Sequence, residues 1–323
     1  MLHTSQIRWT ALGILLATWY EKQALLETGA PCYSRQQARN VTPERCEVVE
    51  FCNHTDAACM CKLPDHVRWA FVCHPAVCRF KMAVHRDHDL VSNELALFGI
   101  WEEPVVDHLL KSLEPGSTIL DVGGNIGYWA FLLAAAGHKV IVVEPMVANR
   151  ELMRLTVCAN PIFEGRVSVI PAAVGAPEDA GTPCRIYSES VNVGNGLLVC
   201  GSETESDSRK LAFAQSLTRP GSAQSSSELV LRENLTIQTL ENVLLTLGSS
   251  DIHAMKIDVE GFECRVLRGS AQLFELYSVH TMIAEVIHPS VRVCLEEMAA
   301  KWRFSITDYG PDLVLESAWR KNK

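Results

Sequence analysis

The chain has 323 residues, 48% of them hydrophobic and 21% charged. That is enough apolar material for a large buried core in one or two domains. The formal net charge is −9, which excludes a broad nucleic-acid-binding surface, so no nucleic-acid partner is expected.

Residues 1–29 read as an entry signal or a short membrane anchor. The first eight residues carry one arginine and His3, and residues 9–20 form an uncharged, mostly apolar run of twelve. That length suits a signal-peptide core and falls short of the ~20 residues of a full membrane span. No clean small-x-small cleavage site follows, because Thr28-Gly29-Ala30 precedes Pro31. An uncleaved anchor with Trp9, Trp19 and Tyr20 at its boundaries is therefore an alternative to a cleaved signal. An ordinary buried helix is a third reading. The expected location is the secretory pathway, in the ER or Golgi lumen, with or without an anchor, or outside the cell.

Residues 30–84 read as a cysteine-rich, loop-rich segment. Seven of the twelve cysteines lie here: Cys32, Cys46, Cys52, Cys59, Cys61, Cys73 and Cys78. Such density means disulfides, a metal site or free thiols. The absence of paired Cys-x-x-Cys knuckles weakens the zinc reading. Two N-glycosylation sequons, at Asn40 and Asn53, fall inside the cluster and a third lies at Asn234. Sequons among clustered cysteines favour an oxidising lumen. Because seven is odd, one cysteine pairs with the later chain, pairs with another chain or stays free.

Residues 85–323 carry the alternation of an α/β domain with a doubly wound, mostly parallel sheet. A helix ends over residues 109–113, a turn follows at Glu114-Pro115-Gly116-Ser117, and the first sheet strand is predicted over 118–122. Residues 128–136 are apolar and alanine-rich, as in a helix buried against a sheet, and Gly137 ends them. A second strand follows over 140–143, a helix over 149–159 and a third strand over 167–171. Residues 176–228 show little pattern, and Ser216–Ser227 has the composition of a flexible loop. Strands are then expected at 229–231 and 235–237, a helix over 240–247 and a fourth apolar strand over 253–258. A helix follows from 263 to 269 and a strand over 281–287.

Two stretches carry chemistry. The run Ile119-Leu120-Asp121-Val122-Gly123-Gly124-Asn125-Ile126-Gly127 ends an apolar strand in an acid and turns through glycines into a helix. Glu144 ends the next strand 23 positions after Asp121. Glycines let the backbone approach a nucleotide-type cofactor, and an acid at the second strand tip suits ribose hydroxyls. The dinucleotide pattern Gly-x-Gly-x-x-Gly fails at Val122, and Asp121 would repel a pyrophosphate. An acid there suits the sulfonium and ammonium of S-adenosylmethionine. The second stretch, Lys256-Ile257-Asp258-Val259-Glu260-Gly261-Phe262-Glu263, puts three acids within six residues at a strand tip. Such a set could bind a divalent metal, accept a proton from a substrate hydroxyl or position the methionine end of the cofactor. No metal is predicted. Glu263 is equally well read as a helix-start carboxylate.

These stretches, with Asn149, Pro171–Gly175, Thr239-Leu240-Glu241 and Val266–Gly269, resemble the FkbM-type family of S-adenosylmethionine-dependent methyltransferases over roughly residues 85–290. Gly99-Ile100-Trp101-Glu102 is similar to the family's segment ahead of the first strand. The resemblance implies a Rossmann-like class I methyltransferase fold and methyl transfer to a hydroxyl, often on a sugar-like acceptor. It implies that Asp121, Gly123, Asn125 and Gly127 surround the methionine part of the cofactor, with Glu102 in the cofactor-binding set. Glu144 would hold the ribose and Ala173 would lie near the adenine. Asp258 and Glu260 would stand at the reaction centre. Glu285 with His288 resembles an acid-and-histidine pair, His288 being a general-base candidate or a plain surface histidine. Glu241 stands where the family commonly has aspartate. The acceptor is open, with glycans favoured by the shared lumen. Two rival readings are a nicotinamide oxidoreductase, which the glycine spacing disfavours, and a catalytically inactive lumenal binding protein on the same fold.

Overall fold

The computed structural model describes residues 63–86, 89–201, 229–245, 251–270 and 272–317. The entry-signal reading, the sequons at Asn40 and Asn53, five of the clustered cysteines and the Ser216–Ser227 loop lie outside the described residues. Among the described residues, no helix is long and apolar enough to cross a membrane.

The described residues begin with an antiparallel hairpin, β1 (Val67–Val72) and β2 (Phe80–His85). This corrects the loop-rich reading of residues 30–84 over its described part, residues 63–84. The cysteines had masked two short strands whose Val67, Ala70, Val72, Phe80, Met82 and Val84 are buried in the main core. Two helices follow, α1 (Leu90–Phe98) and α2 (Glu103–Ser112). Next come β3 (Thr118–Val122), α3 (Tyr128–Ala135), β4 (Lys139–Val143), α4 (Val147–Ala159) and β5 (Val167–Ile170). These match the expected elements to within two residues. Three further strands, β6 (Ala173–Gly175), β7 (Pro183–Glu189) and β8 (Asn192–Cys200), precede β9 (Leu229–Thr239). The remainder is α5 (Leu240–Leu245), β10 (Ala254–Ile257), α6 (Glu263–Arg268), α7 (Leu273–Leu276), β11 (Thr281–Glu285), α8 (Pro289–Trp302), β12 (Phe304–Tyr309) and β13 (Asp312–Ser317).

Seven strands make the main sheet in the order β12-β13-β11-β10-β3-β4-β5. The five from β11 to β5 are parallel, and β13 and β12 are antiparallel additions at one edge. The chain winds outward through β4 and β5, then returns to the other side of β3 through β10 and β11. The order therefore reverses at β3, where doubly wound sheets open a crevice beyond their carboxyl ends. Strand alternation feeds two cores, one on each face. Ile119, Val140, Val142 and Ala254 pack with α3, α4 and the hairpin. Leu120, Val122, Ile141, Val143, Met255 and Ile257 pack with α5, α6 and α8 on the other face.

A second sheet, β6-β9-β7-β8, stands beside the first. It is mostly antiparallel; β7 and β8 lie where the sequence shows little pattern, and β9 runs unbroken through the two short strands expected at 229–231 and 235–237. Cys184 and Cys200 pair across β7 and β8, and Cys264 pairs with Cys294 across α6 and α8. Cys73, Cys78 and Cys158 are disulfide-bonded as well, so every described cysteine is oxidised.

Candidate active site

Register brings the distant motifs to one level. Val122 of β3 is opposite Val143 of β4 and Ile257 of β10, and Ile257 is opposite Ala284 of β11. The next residues are Gly123, Glu144, Asp258 and Glu285, and all four emerge together at the carboxyl edge. The glycine turn is held there by Gly123 N–H and Gly124 N–H, which donate to the Val143 carbonyl. Gly123 has φ +82°, and a β-carbon on it would run into the Asp258 carbonyl oxygen. Only glycine fits where β3 and β10 come this close. Gly127 (φ +89°) starts α3, where a β-carbon would lie 2.8 Å from the Phe131 ring.

Two cavities open at this edge. The first, about 670 Å³ and open on one side, is lined by Gly123, Asn125, Glu144, Pro145, Met146 and Ala173. Ile186, Gly194, Asn195, Gly196 and Leu198 of β7 and β8 roof it. The second, about 1320 Å³ and also open, is lined by Trp101, Glu102, Tyr128, Trp129, Lys256 and Glu285, among others. Asn125, Asn195, Asp258 and Glu260 line both cavities. Asp258, at the tip of β10, therefore stands on the boundary between them.

Glu144 is buried and well held. Its carboxylate accepts from Asn125 N–H and Met146 N–H, each at 2.8 Å, and from Asn149 Nδ2 at 3.4 Å. Burial pushes its pKa up to about 7, against the pull of those donors and Arg150. Glu102 sits in the left-handed region (φ +50°) and accepts from Trp129 Nε1 at 2.8 Å. Burial raises its pKa, and Lys256 opposes the rise. Asn125 and Glu260 also take positive φ, at +49° and +52°, so two of the residues lining both cavities hold strained turns.

Asp121 lies elsewhere than expected. It lines neither cavity and is 1% exposed. It is the penultimate residue of β3, so alternation sends its side chain onto the α3 face. There its Oδ1 lies 3.8 Å from Lys256 Nζ, and neither oxygen has a hydrogen-bond donor. Burial lifts its pKa to about 6, with Lys256 opposing. Lys256 has the same parity in β10, reaches Asp258 Oδ2 at 3.0 Å and lies 5.8 Å from the Trp129 ring centre. Burial weakens its charge, but Asp258, Asp121 and Glu102 outweigh burial and raise its pKa. Lys256 thus brings a cation to the second cavity, held by Asp258 and Asp121.

His288 is not brought to the cavities. Its Nδ1 accepts from Ser290 N–H at 3.2 Å and caps the start of α8. Glu263 is buried, and its Oε1 accepts from Val259 N–H and Gly261 N–H, each at 3.1 Å. It locks the turn that carries Asp258 and Glu260. Burial pushes its pKa up to about 7.

Sequence reasoning assigned no role to Lys256, Trp129, Asn149 or the roof strands. The one usable signal was a lysine inside the apolar run Ala254–Ile257, in step with Asp121, each one residue short of its strand's end. Among the described residues, the oxygens of Asp258, Glu260 and Glu285 lie within 4.8 Å of one another, close enough for a cation.

The family model for the methyltransferase FkbM domain matches residues 121–312. No curated protein matches the chain at a significant level. Among solved structures, the chain is similar to the C-terminal domain of precorrin-6Y C5,15-methyltransferase from Rhodobacter capsulatus. That match has 13% identity, covers 68% of this chain and 90% of that one, and has a TM-score of 0.35. An rRNA methylase from Streptococcus thermophilus matches at 11% identity over 67% and 95%, with a TM-score of 0.39. Magnesium protoporphyrin IX methyltransferase from Synechocystis PCC 6803, with bound S-adenosylmethionine, matches at 11% over 67% and 79%, with a TM-score of 0.36. Likenesses this distant bear on neither substrate nor mechanism.

Proposed function

From the premise that the chain belongs to the FkbM methyltransferase family, we propose that it transfers a methyl group from S-adenosylmethionine to a hydroxyl of a glycan or sugar-like acceptor in the secretory pathway. The observation that carries this reading is the pair of cavities meeting at Asp258 and Glu260. One cavity carries the groups the cofactor needs, and the other opens beside it where an acceptor can reach Asp258.

The first cavity has what the cofactor needs. Glu144 offers a held carboxylate to ribose hydroxyls, and Pro145, Met146, Ala173, Ile186 and Leu198 offer an apolar slot for a flat base. Asn125 and the side-chain-free Gly123 line the same cavity, with Gly123 packed against the Asp258 backbone. When bound, S-adenosylmethionine supplies a methyl group already activated by a sulfonium. The chain's work is then alignment and proton removal. Of the two carboxylates that border both cavities, Asp258 directly follows β10 and is held by Lys256, so it is the one assigned to take the proton from an acceptor hydroxyl. Lys256 fixes its Oδ2 and keeps the neighbouring negative charge in check. Glu260 and Glu285 are placed to hold further hydroxyls of the acceptor. His288, committed to its helix cap, has no part in this reading.

The hydroxyl-rich acceptor and the lumenal location rest on separate support. Seven described cysteines are oxidised, as expected outside the reducing cytosol. The third sequon residue, Asn234, is exposed on β9. The test is incubation with methyl-labelled S-adenosylmethionine and a panel of glycans and small hydroxylated metabolites, using wild type and Asp258→Asn. Label on a glycan hydroxyl, lost in the variant while cofactor binding persists, supports the assignment. Label on protein, lipid or nitrogen would overturn the acceptor class.

A further inference from the structure

We infer that Asp89, which lies ahead of the matched family segment, is a positioning residue of the cofactor cavity. Together with Asn149 it clamps Gly194 of the roof over Glu144. The inference rests on reading the first cavity as the cofactor site.

Asp89 is buried, and both its oxygens are in use. Oδ1 accepts from Ser92 N–H at 2.8 Å, which caps α1. Oδ2 accepts from Gly194 N–H at 2.8 Å, a bond spanning 105 positions of chain. Capping a helix needs one oxygen, so the second bond does separate work. Across the same residue, the Gly194 carbonyl accepts from Asn149 Nδ2 at 3.1 Å. That amide nitrogen also reaches Glu144 Oε1 at 3.4 Å, and Asn149 Oδ1 lies 3.4 Å from His85 Nε2. The roof strand is thus held on both sides of one glycine, by α1 and by α4. One of the two clamps touches the ribose acid itself.

The packing leaves no slack. A β-carbon on Gly194 would lie 2.5 Å from Asp89 Oδ2 and 2.9 Å from Asn125 Oδ1, closer than real side chains approach. A buried carboxylate accepting two N–H bonds forms charge-assisted bonds, stronger than neutral ones. Elements outside the family match, namely β2 with His85 and α1 with Asp89, therefore complete a site whose floor lies inside it.

The experiment uses the full chain and two probes, S-adenosylhomocysteine and 5′-methylthioadenosine. The second lacks the amino-acid end of the cofactor. Asp89→Asn keeps a good helix cap but turns an NH2 toward the Gly194 N–H. The expected result is at least a tenfold rise in Kd, by the same factor for both probes, since the roof and Glu144 line the same cavity. Amide exchange should quicken over residues 192–200 and stay unchanged in β3, β10 and α1. Gly194→Ala, which leaves Asp89 intact, should lose affinity to a similar degree. Affinities within twofold of wild type would overturn the inference, as would faster exchange spread through α1 and the central sheet. Should wild type bind neither probe, the cofactor reading has failed. The exchange pattern then still decides the clamp, which is refuted if residues 192–200 are unaffected by Asp89→Asn.

Discussion

Glu144→Gln separates the cost of a buried acid from its use. The wild-type carboxylate is 4% exposed, and burial lifts its pKa from 4.5 to about 7. Each unit is worth about 1.4 kcal/mol, so keeping the charge in place at pH 8 costs the ligand-free protein on the order of 3 kcal/mol. Glutamine removes that cost but turns an NH2 toward one of the two backbone N–H groups, losing a charge-assisted bond of about 1.5–3 kcal/mol. The two effects nearly cancel, so the Tm at pH 8 should move by no more than about 5 °C. Ligand binding does not share the cancellation. Two charge-assisted bonds to ribose hydroxyls, weakened by about 1.5 kcal/mol each, should raise the Kd roughly a hundredfold. Titration calorimetry with S-adenosylhomocysteine reads this directly. The ligand favours the ionised acid, so wild-type affinity should fall about tenfold from pH 8 to pH 6. A variant that binds within threefold of wild type would refute the reasoning, as would a wild-type affinity flat across that range.

Lys256→Met leaves Asp121 and Asp258 without their shared cation, and losing one partner of a buried ion pair should cost about 3–5 kcal/mol. Adding Asp121→Asn should recover much of that loss in denaturant unfolding, whereas simple additivity would count against the charge triad. Glu263→Gln keeps an acceptor for Val259 N–H and Gly261 N–H while removing an acid whose pKa is raised to about 7. A raised carboxyl binds its proton more tightly in the folded state. The stability it contributes is therefore present below pH 4.5 and lost as pH rises to 7. Buried His74, His85 and His138, with lowered pKa values, run the other way, so the quantity to follow is the difference between variant and wild type. That difference should grow in the variant's favour by roughly 3 kcal/mol between pH 4.5 and pH 8. A constant difference would mean the acid is not held protonated.

The floor of the site was legible in the sequence because each part of it is a short-range signal. An apolar run ending in an acid, a glycine turn and a second acid-tipped run fix β3, β4 and the turn between them. Parallel register then brings Glu144 and Asp258 level without further information. The roof was not legible. Strand β7 alternates in burial but offers only Cys184 and Ile186 as apolar inward residues, and β8 opens on Asn192-Val193-Gly194-Asn195-Gly196, where glycines stand in place of a strand's alternating apolar side chains. Their place depends on long-range bonds such as the one from Gly194 to Asp89. The β1–β2 hairpin was hidden by the cysteines flanking its turn. Asp121 shows a different limit. Its position at a strand end was correct, but alternation one residue short of the tip turned it beneath α3 and into an ion pair with Lys256. A histidine three residues after an acid looked catalytic at His288, yet the same spacing put it at a helix start, where its ring caps the backbone.

Calorimetric titration of the full chain with S-adenosylmethionine, with NAD+ as the comparison ligand, tests the central claim most directly. One S-adenosylmethionine should bind saturably per chain, more weakly in Glu144→Gln, and NAD+ should not bind. Absence of S-adenosylmethionine binding, or binding that Glu144→Gln leaves untouched, would contradict that claim.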